Sequence, residues 1–226
     1  MDTPDRQTNS ENGESPLYYL VREPLFPNDN PPLLLLLHGL GSNERDLFSF
    51  ADDLPGKFLI VSVRAPLVAG RDSYAWYPID FSTGKPVINA GQAQKSREIV
   101  LQFIGYLDQK HIFDDKQVFI CGFSQGGIMS YAIALTHPEK IRGIAVMSGR
   151  LPEEIKPVIA PEKDLQHLGI FISHGKFDNV LDIQNAREAQ VYLKKKGLNP
   201  VYKEYPVGHT ISNEMFKDLS DWFNEK

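Results

Sequence analysis

The chain has 226 residues, 42% hydrophobic and 23% charged, which supplies enough apolar material for a large core and excludes global disorder. Its 24 Lys and Arg against 29 Asp and Glu leave a net charge of −5, and no basic cluster dominates, so nothing draws it electrostatically to nucleic acid or an anionic membrane. The single cysteine, Cys121, excludes an intramolecular disulfide and is compatible with a reducing compartment.

Residues 1–16 are polar, carry almost nothing to bury and read as a mobile tail, followed by a single domain over residues 17–226. Met1 to Ser15 lacks the basic start and apolar stretch of a secretory signal. No run approaches the roughly 18 apolar residues of a spanning helix, so a cytoplasmic protein without stable membrane insertion is expected. Leu17 to Arg22 predicts an edge strand. After a turn rich in proline, Leu33 to Leu37 is an uninterrupted apolar run, too short for a helix, as in a strand buried on both faces of a parallel sheet. Similar segments recur at Phe58 to Val63, Val118 to Cys121, Ile141 to Met147, Ile170 to Ser173 and Val201 to Tyr205. Helical spacing fills the intervals at Arg45 to Leu54, Ala93 to Lys110, Gly126 to Thr136, Ile183 to Lys196 and Asn213 to Phe223. This alternation predicts an α/β fold, a mostly parallel central sheet with helices on both faces, and places sites at the carboxyl ends of strands. The long connections Arg64 to Gly91 and Ser148 to Leu168 are expected to line or cover such a site. Lys194 to Lys196, the densest basic run, reads as the solvated end of a helix.

Gly122-Phe123-Ser124-Gln125-Gly126 stands between a predicted strand and a predicted helix, the context of a nucleophile elbow. A sharp turn there forces its serine into a strained backbone, and the flanking glycines avoid collision with neighbouring elements. A glycine-rich turn with an incidental serine is the bland alternative, and the partners downstream weigh against it. A serine hydroxyl needs a base, and the α/β-hydrolase order is Ser, then Asp or Glu, then His, each at a later strand end. Asp178 follows Ile170 to Ser173, and His209 follows Val201 to Tyr205. Asp182 competes with Asp178 but reads as a helix N-terminal residue. Among the other histidines, His111, His137 and His167 read as exposed, while His38 and His174 read as buried structural residues near the site. For an oxyanion, the loop His38-Gly39-Leu40-Gly41 after the first long strand offers the amide of Leu40, and the elbow offers that of Gln125. Cys121 reads as a small buried residue rather than a reactive one. Trp76, Tyr77 and Phe81 are candidates for an acyl-binding wall or for ordinary loop packing.

Together these residues resemble the phospholipase/carboxylesterase family of α/β-hydrolases, which includes acyl-protein thioesterases. The resemblance runs from Leu33 to the C-terminus through Leu37-His38-Gly39-Leu40-Gly41, Arg64-Ala65-Pro66, Trp76-Tyr77, Gly122 to Gly127, His174-Gly175 with Asp178, and Gly208-His209. The Phe-Ser-Gln-Gly-Gly elbow is its most specific part. Relatives usually carry a Val-Pro pair after the acid, where this chain has Asn179-Val180-Leu181-Asp182. The resemblance implies hydrolysis of small-molecule carboxylic esters or thioesters without metal or cofactor. Lysophospholipid hydrolysis and a non-catalytic ligand-binding module are the alternatives. Whether the protein is a monomer or a homodimer is not legible in these residues.

Overall fold

The computed structural model describes residues 15–80, 82 and 87–226. The tail read over residues 1–16 therefore lies, apart from Ser15 and Pro16, outside the described residues, and so does Phe81. The chain begins with β1 (Tyr19–Arg22) and β2 (Pro32–Leu37), turns through α1 (Arg45–Phe48) and returns as β3 (Leu59–Val63). Two small hairpins follow, β4 (Leu67–Gly70) with β5 (Ser73–Ala75) and β6 (Ile79–Asp80) with β7 (Val87–Ile88). Helix and strand then alternate as α2 (Ala90–Lys110), β8 (Asp114–Phe123), α3 (Gln125–Thr136), β9 (Gly143–Met147), α4 (Glu162–Leu165), β10 (Gly169–Gly175), α5 (Gln184–Lys195), β11 (Val201–Tyr205) and α6 (Asn213–Asn224).

Seven strands form one sheet in the order β1-β3-β2-β8-β9-β10-β11, antiparallel only where β1 meets β3. The leucine run of β2 lies at its centre. Leu33, Leu35 and Leu37 face the cluster built with α2, α3 and α5, and Leu34 and Leu36 face the one built with α1 and α6. Each side chain so buried contributes roughly 1.5–3 kcal/mol, which is why this segment cannot carry polar residues on either face. From β2 the sheet grows one way to β3 and β1 and then the other way through β8 to β11. The crevice left at such a reversal lies beyond the carboxyl ends of β2 and β8, where the loop after Leu37 and the turn at Ser124 emerge.

Several elements depart from their sequence expectation. The helix expected over Arg45 to Leu54 is only the short α1 and a 3₁₀ turn, Ala51–Asp53. The buried Arg22 collects the carbonyls of Ala51, Leu54, Pro55 and Phe58, ending the helix by taking acceptors that a further turn would use. Strand β8 extends well upstream of Val118, and a bulge shifts its pairing with β2 at Pro32/Leu33. His111 and His137 are half-buried rather than exposed, because His111 packs beside Tyr19 and His137 bonds Thr136 Oγ1 at 2.9 Å. His167 is exposed, and Lys194 and Lys195 close α5 in solvent.

Candidate active site

Ser124 is the N-cap of α3, with φ 53° and ψ −117°. That conformation costs on the order of 1–3 kcal/mol and persists only because its surroundings enforce it. The enforcement is steric: a Cβ on Gly126 would sit inside the backbone of Leu37, and one on Gly122 inside the backbone at Gly126. Strand β8 and helix α3 can therefore cross closely only over glycine. The crossing leaves the serine at the start of a 12-residue helix, where the free N–H groups and positive dipole end favour developing negative charge.

The hydroxyl of Ser124 donates to His209 Nε2 at 2.9 Å, and His209 Nδ1–H donates to Asp178 Oδ2 at 2.7 Å. The structure thus brings together three residues that the sequence separates by up to 85 positions. Phe123 packs against the imidazole with ring centroids 4.9 Å apart. The Asp178 carboxylate is fully buried as a side chain, and its other oxygen accepts from the amides of Val180 and Leu181, each at 2.9 Å. Burial pushes this carboxyl toward protonation. The hydrogen bonds from His209, Leu181 and Val180 outweigh it and hold the group below its ordinary value. Asp182 does what its place suggested: its Oδ1 accepts from the Gln184 amide at 2.7 Å, at the start of α5.

His174 comes nearer the relay than sequence reasoning recognised. Its Nε2 lies 2.7 Å from the Leu181 carbonyl, an acceptor, so the proton sits on Nε2 and is donated there, and Asp178 Oδ2 lies 3.2 Å from the same nitrogen. The signal was available, a histidine at the end of the strand that leads to the acid. Cys121 is buried, and burial pushes its thiol up to about 12, far from thiolate chemistry.

The loop after β2 runs against the nucleophile: a Cβ on Gly39 would lie 3.4 Å from that of Ser124. Among the described residues none accepts from the amides of Leu40 or Gln125. His38 braces this loop from below. The Ala65 amide donates to its Nε2 at 3.0 Å, leaving Nδ1–H to donate to the Gly39 carbonyl at 2.7 Å. Burial lowers the basicity of this ring, which keeps it in the neutral form that such bonding requires. Outside it, the Gly41 amide donates to the Tyr74 carbonyl at 2.9 Å.

Trp76 is fully buried, its indole N–H donates to the His38 carbonyl at 2.9 Å, and its amide donates to Gln125 Oε1 at 2.8 Å. Gln125 Nε2 donates in turn to the Tyr77 carbonyl at 2.8 Å. The side chain of Gln125, which sequence reasoning passed over in favour of its amide, therefore ties the elbow to the segment Trp76-Tyr77. Tyr77 lines a cavity beside α3, whereas Trp76 does not reach its wall.

A further anchor is the pair Glu44 and Arg64. The fully buried Glu44 carboxylate accepts from Arg64 Nε and Nη2 at 2.7 and 2.8 Å, and the guanidinium lies between the rings of Tyr18 and Tyr74. It joins the end of the 39–44 loop to the residue that follows β3.

The model of the family described as Phospholipase/Carboxylesterase matches residues 27–225. The chain belongs to that family. Carboxylesterase SOBER1 of Arabidopsis thaliana is 33% identical over 208 residues, which cover 85% of this chain and 90% of the relative. Acyl-protein thioesterase 1 of Kluyveromyces lactis is 26% identical over 212 residues, covering 85% and 91%. Among solved structures, the Bacillus cereus carboxylesterase superposes with a TM-score of 0.80 at 18% identity over 92% of this chain and 94% of that one, a likeness of fold. Membership in the phospholipase/carboxylesterase family makes this chain a hydrolase with the α/β-hydrolase fold. Among the described residues no helix is long and apolar enough to cross a membrane.

Proposed function

We propose that the protein is a serine hydrolase that cleaves carboxylic esters or thioesters through an acyl-Ser124 intermediate. The unbroken relay from the Ser124 hydroxyl to His209 and on to Asp178 carries this reading. In it, His209 Nε2 takes the hydroxyl proton as Ser124 Oγ attacks the acyl carbonyl. The carbonyl oxygen gains negative charge, which the amides of Leu40 and Gln125 hold. Each such donor is worth on the order of 10²–10³ in kcat. His209 then protonates the departing alkoxide or thiolate, and water, activated by the same imidazole, releases the acid. Asp178 keeps the proton on Nδ1, so that Nε2 is free to act as base. Because this constellation generates its own nucleophile, the chemistry is read as metal-free. Trp76 supports the site from behind and Tyr77 faces the bound substrate. The relatives named carboxylesterase and acyl-protein thioesterase support small-molecule esters and thioesters as the substrate class. A cytoplasmic location is part of the same reading and suits a lone buried thiol.

A fluorophosphonate probe is expected to label Ser124, and Ser124→Ala is expected to abolish both labelling and turnover of p-nitrophenyl acetate. Undiminished turnover by the alanine variant would refute the assignment. Profiling graded acyl esters, thioesters and lysophospholipids then sorts the substrate class.

A further inference from the structure

The two amides assigned to the oxyanion come from different elements, Leu40 from the loop after β2 and Gln125 from the start of α3. Such donors act only when both stand about 2.7–3.1 Å from the charged oxygen, and a misplacement of about 1 Å costs on the order of 10² in rate. The tight crossing of β8 and α3 fixes Gln125. Leu40 is placed differently: its own side chain is exposed and glycines flank it, so the loop is located by what its backbone bonds to. Those bonds run to the end of β5 and the residue after it. The Gly41 amide donates to the Tyr74 carbonyl at 2.9 Å, and the Tyr74 amide donates to the Ser42 carbonyl at 2.8 Å. The Trp76 indole N–H donates to the His38 carbonyl at 2.9 Å. Leu40 is thus pinned two residues before it and one residue after.

The same segment grips the second donor. The Trp76 amide donates to Gln125 Oε1 and the Tyr77 carbonyl accepts from Gln125 Nε2, each at 2.8 Å. Trp76 is held in turn by α2, where the Ser96 hydroxyl donates to its carbonyl. Every polar group of Trp76 is therefore bonded: the amide to the elbow, the carbonyl to α2 and the indole to the oxyanion loop. Its ring is fully buried against His38, with ring centroids 5.7 Å apart, so substrate does not reach it. An indole is also rigid, since two side-chain torsions fix its N–H relative to its own backbone. One side chain therefore sets the distance between the carbonyl that precedes Gly39-Leu40 and the residue that carries the other donor.

We infer that Trp76 is a positioning residue, a strut that sets the separation of the Leu40 and Gln125 amides and acts on the reaction through them instead of through contact with substrate. The inference rests on the acyl-Ser124 reading, in which those amides hold the developing charge.

Two variants test it. Trp76→Phe deletes the indole N–H and keeps an aromatic ring in the core, while Gln125→Met deletes both side-chain bonds and leaves the backbone amide in place. In each, kcat for p-nitrophenyl acetate is expected to fall about tenfold or more with KM within about twofold of the wild type. The inhibition constant of hexyl trifluoromethyl ketone, whose adduct with Ser124 bears the oxyanion, should rise by the factor that kcat/KM loses. Because both substitutions cut one strut, the double variant should lose little more than the worse single one. The downfield proton resonance of His209 Nδ1–H should persist in both, which separates displaced amides from a general loosening of the relay. A raised KM with kcat kept would instead make Trp76 a substrate wall and overturn the inference. So would a kcat or an inhibition constant within about twofold of the wild type, a double variant that loses the full product of the two factors, or loss of the downfield signal. If Trp76→Phe does not fold, Gln125→Met decides alone by the same kinetic and spectroscopic measures. Turnover that survives Ser124→Ala defeats the acyl-serine reading and the strut with it. Turnover that depends on Ser124 but is indifferent to both variants defeats the strut alone.

Discussion

At the scale of single residues, the site is a set of hydrogen bonds with one protonation pattern. Asp178 accepts from two amides on one oxygen and from His209 on the other, so it can neither rotate nor readily take up a proton. Asp178→Asn keeps the shape and reverses the pattern, because the amide would offer N–H where His209 needs an acceptor. The variant is expected to fold normally and to lose on the order of 10³–10⁴ in kcat for p-nitrophenyl acetate, read by steady-state kinetics beside an unchanged thermal midpoint. Cys121 stands close to the elbow but belongs to the core. With its thiol at about 12 and its surface buried, it is expected to resist iodoacetamide at pH 8 in the native protein and to react at once in denaturant, as mass spectrometry would report. Labelling of the native protein at the rate of a free thiol would contradict that burial.

At the scale of elements, the turn from β8 to α3 sets the position of the nucleophile, and its tolerance is small. Gly126→Ala would drive a methyl group into the Leu37 backbone, the centre strand of the sheet, and is expected to destabilise by about 3 kcal/mol or more. Urea denaturation measures this, and a loss within 0.5 kcal/mol, the range of an ordinary surface substitution, would argue against so close a crossing. The elements themselves were largely legible, because a leucine run bounded by proline and glycine or an inward stripe on a helix reflects burial in the letters. What was not legible came from contacts between elements. Arg22 shortens the helix expected after Arg45 by gathering carbonyls from residues 29 to 36 positions away. The Gln125 side chain clamps Trp76 and Tyr77, 49 and 48 positions away.

At the scale of the molecule, the reversal in strand order between β2 and β8 opens the crevice, and the Glu44–Arg64 pair secures the loop on one side of it. Burial pushes the Glu44 carboxyl up, but its bonds to Arg64 prevail and hold it below its ordinary value, as the bonds at Asp178 do there. A carboxyl depressed in the folded state binds protons less readily than in the unfolded chain. Its stabilisation is therefore complete above the ordinary carboxylate range near pH 4 and is lost as pH falls through that range toward the depressed value. Arg64→Met leaves the Glu44 charge buried without its partner. It is expected to cost roughly 3 kcal/mol at pH 7, the low end for a broken buried pair because Arg64 is partly in water, and to move acid unfolding to higher pH. Circular dichroism during acid titration of both proteins tests the direction of that shift.

Composition, apolar runs and turn residues by themselves determined the alternation of strand and helix, the elbow at Ser124 and the chain order of the candidate relay, since each reflects a local demand of burial or backbone geometry that short stretches express. The tertiary structure alone decided how close Ser124, His209 and Asp178 stand, that His174 lies beside the carboxylate, and that the Gln125 side chain ties the elbow to Trp76 and Tyr77. Those facts depend on distances between residues tens of positions apart, which the packing of helices on a twisted sheet fixes and no local pattern encodes.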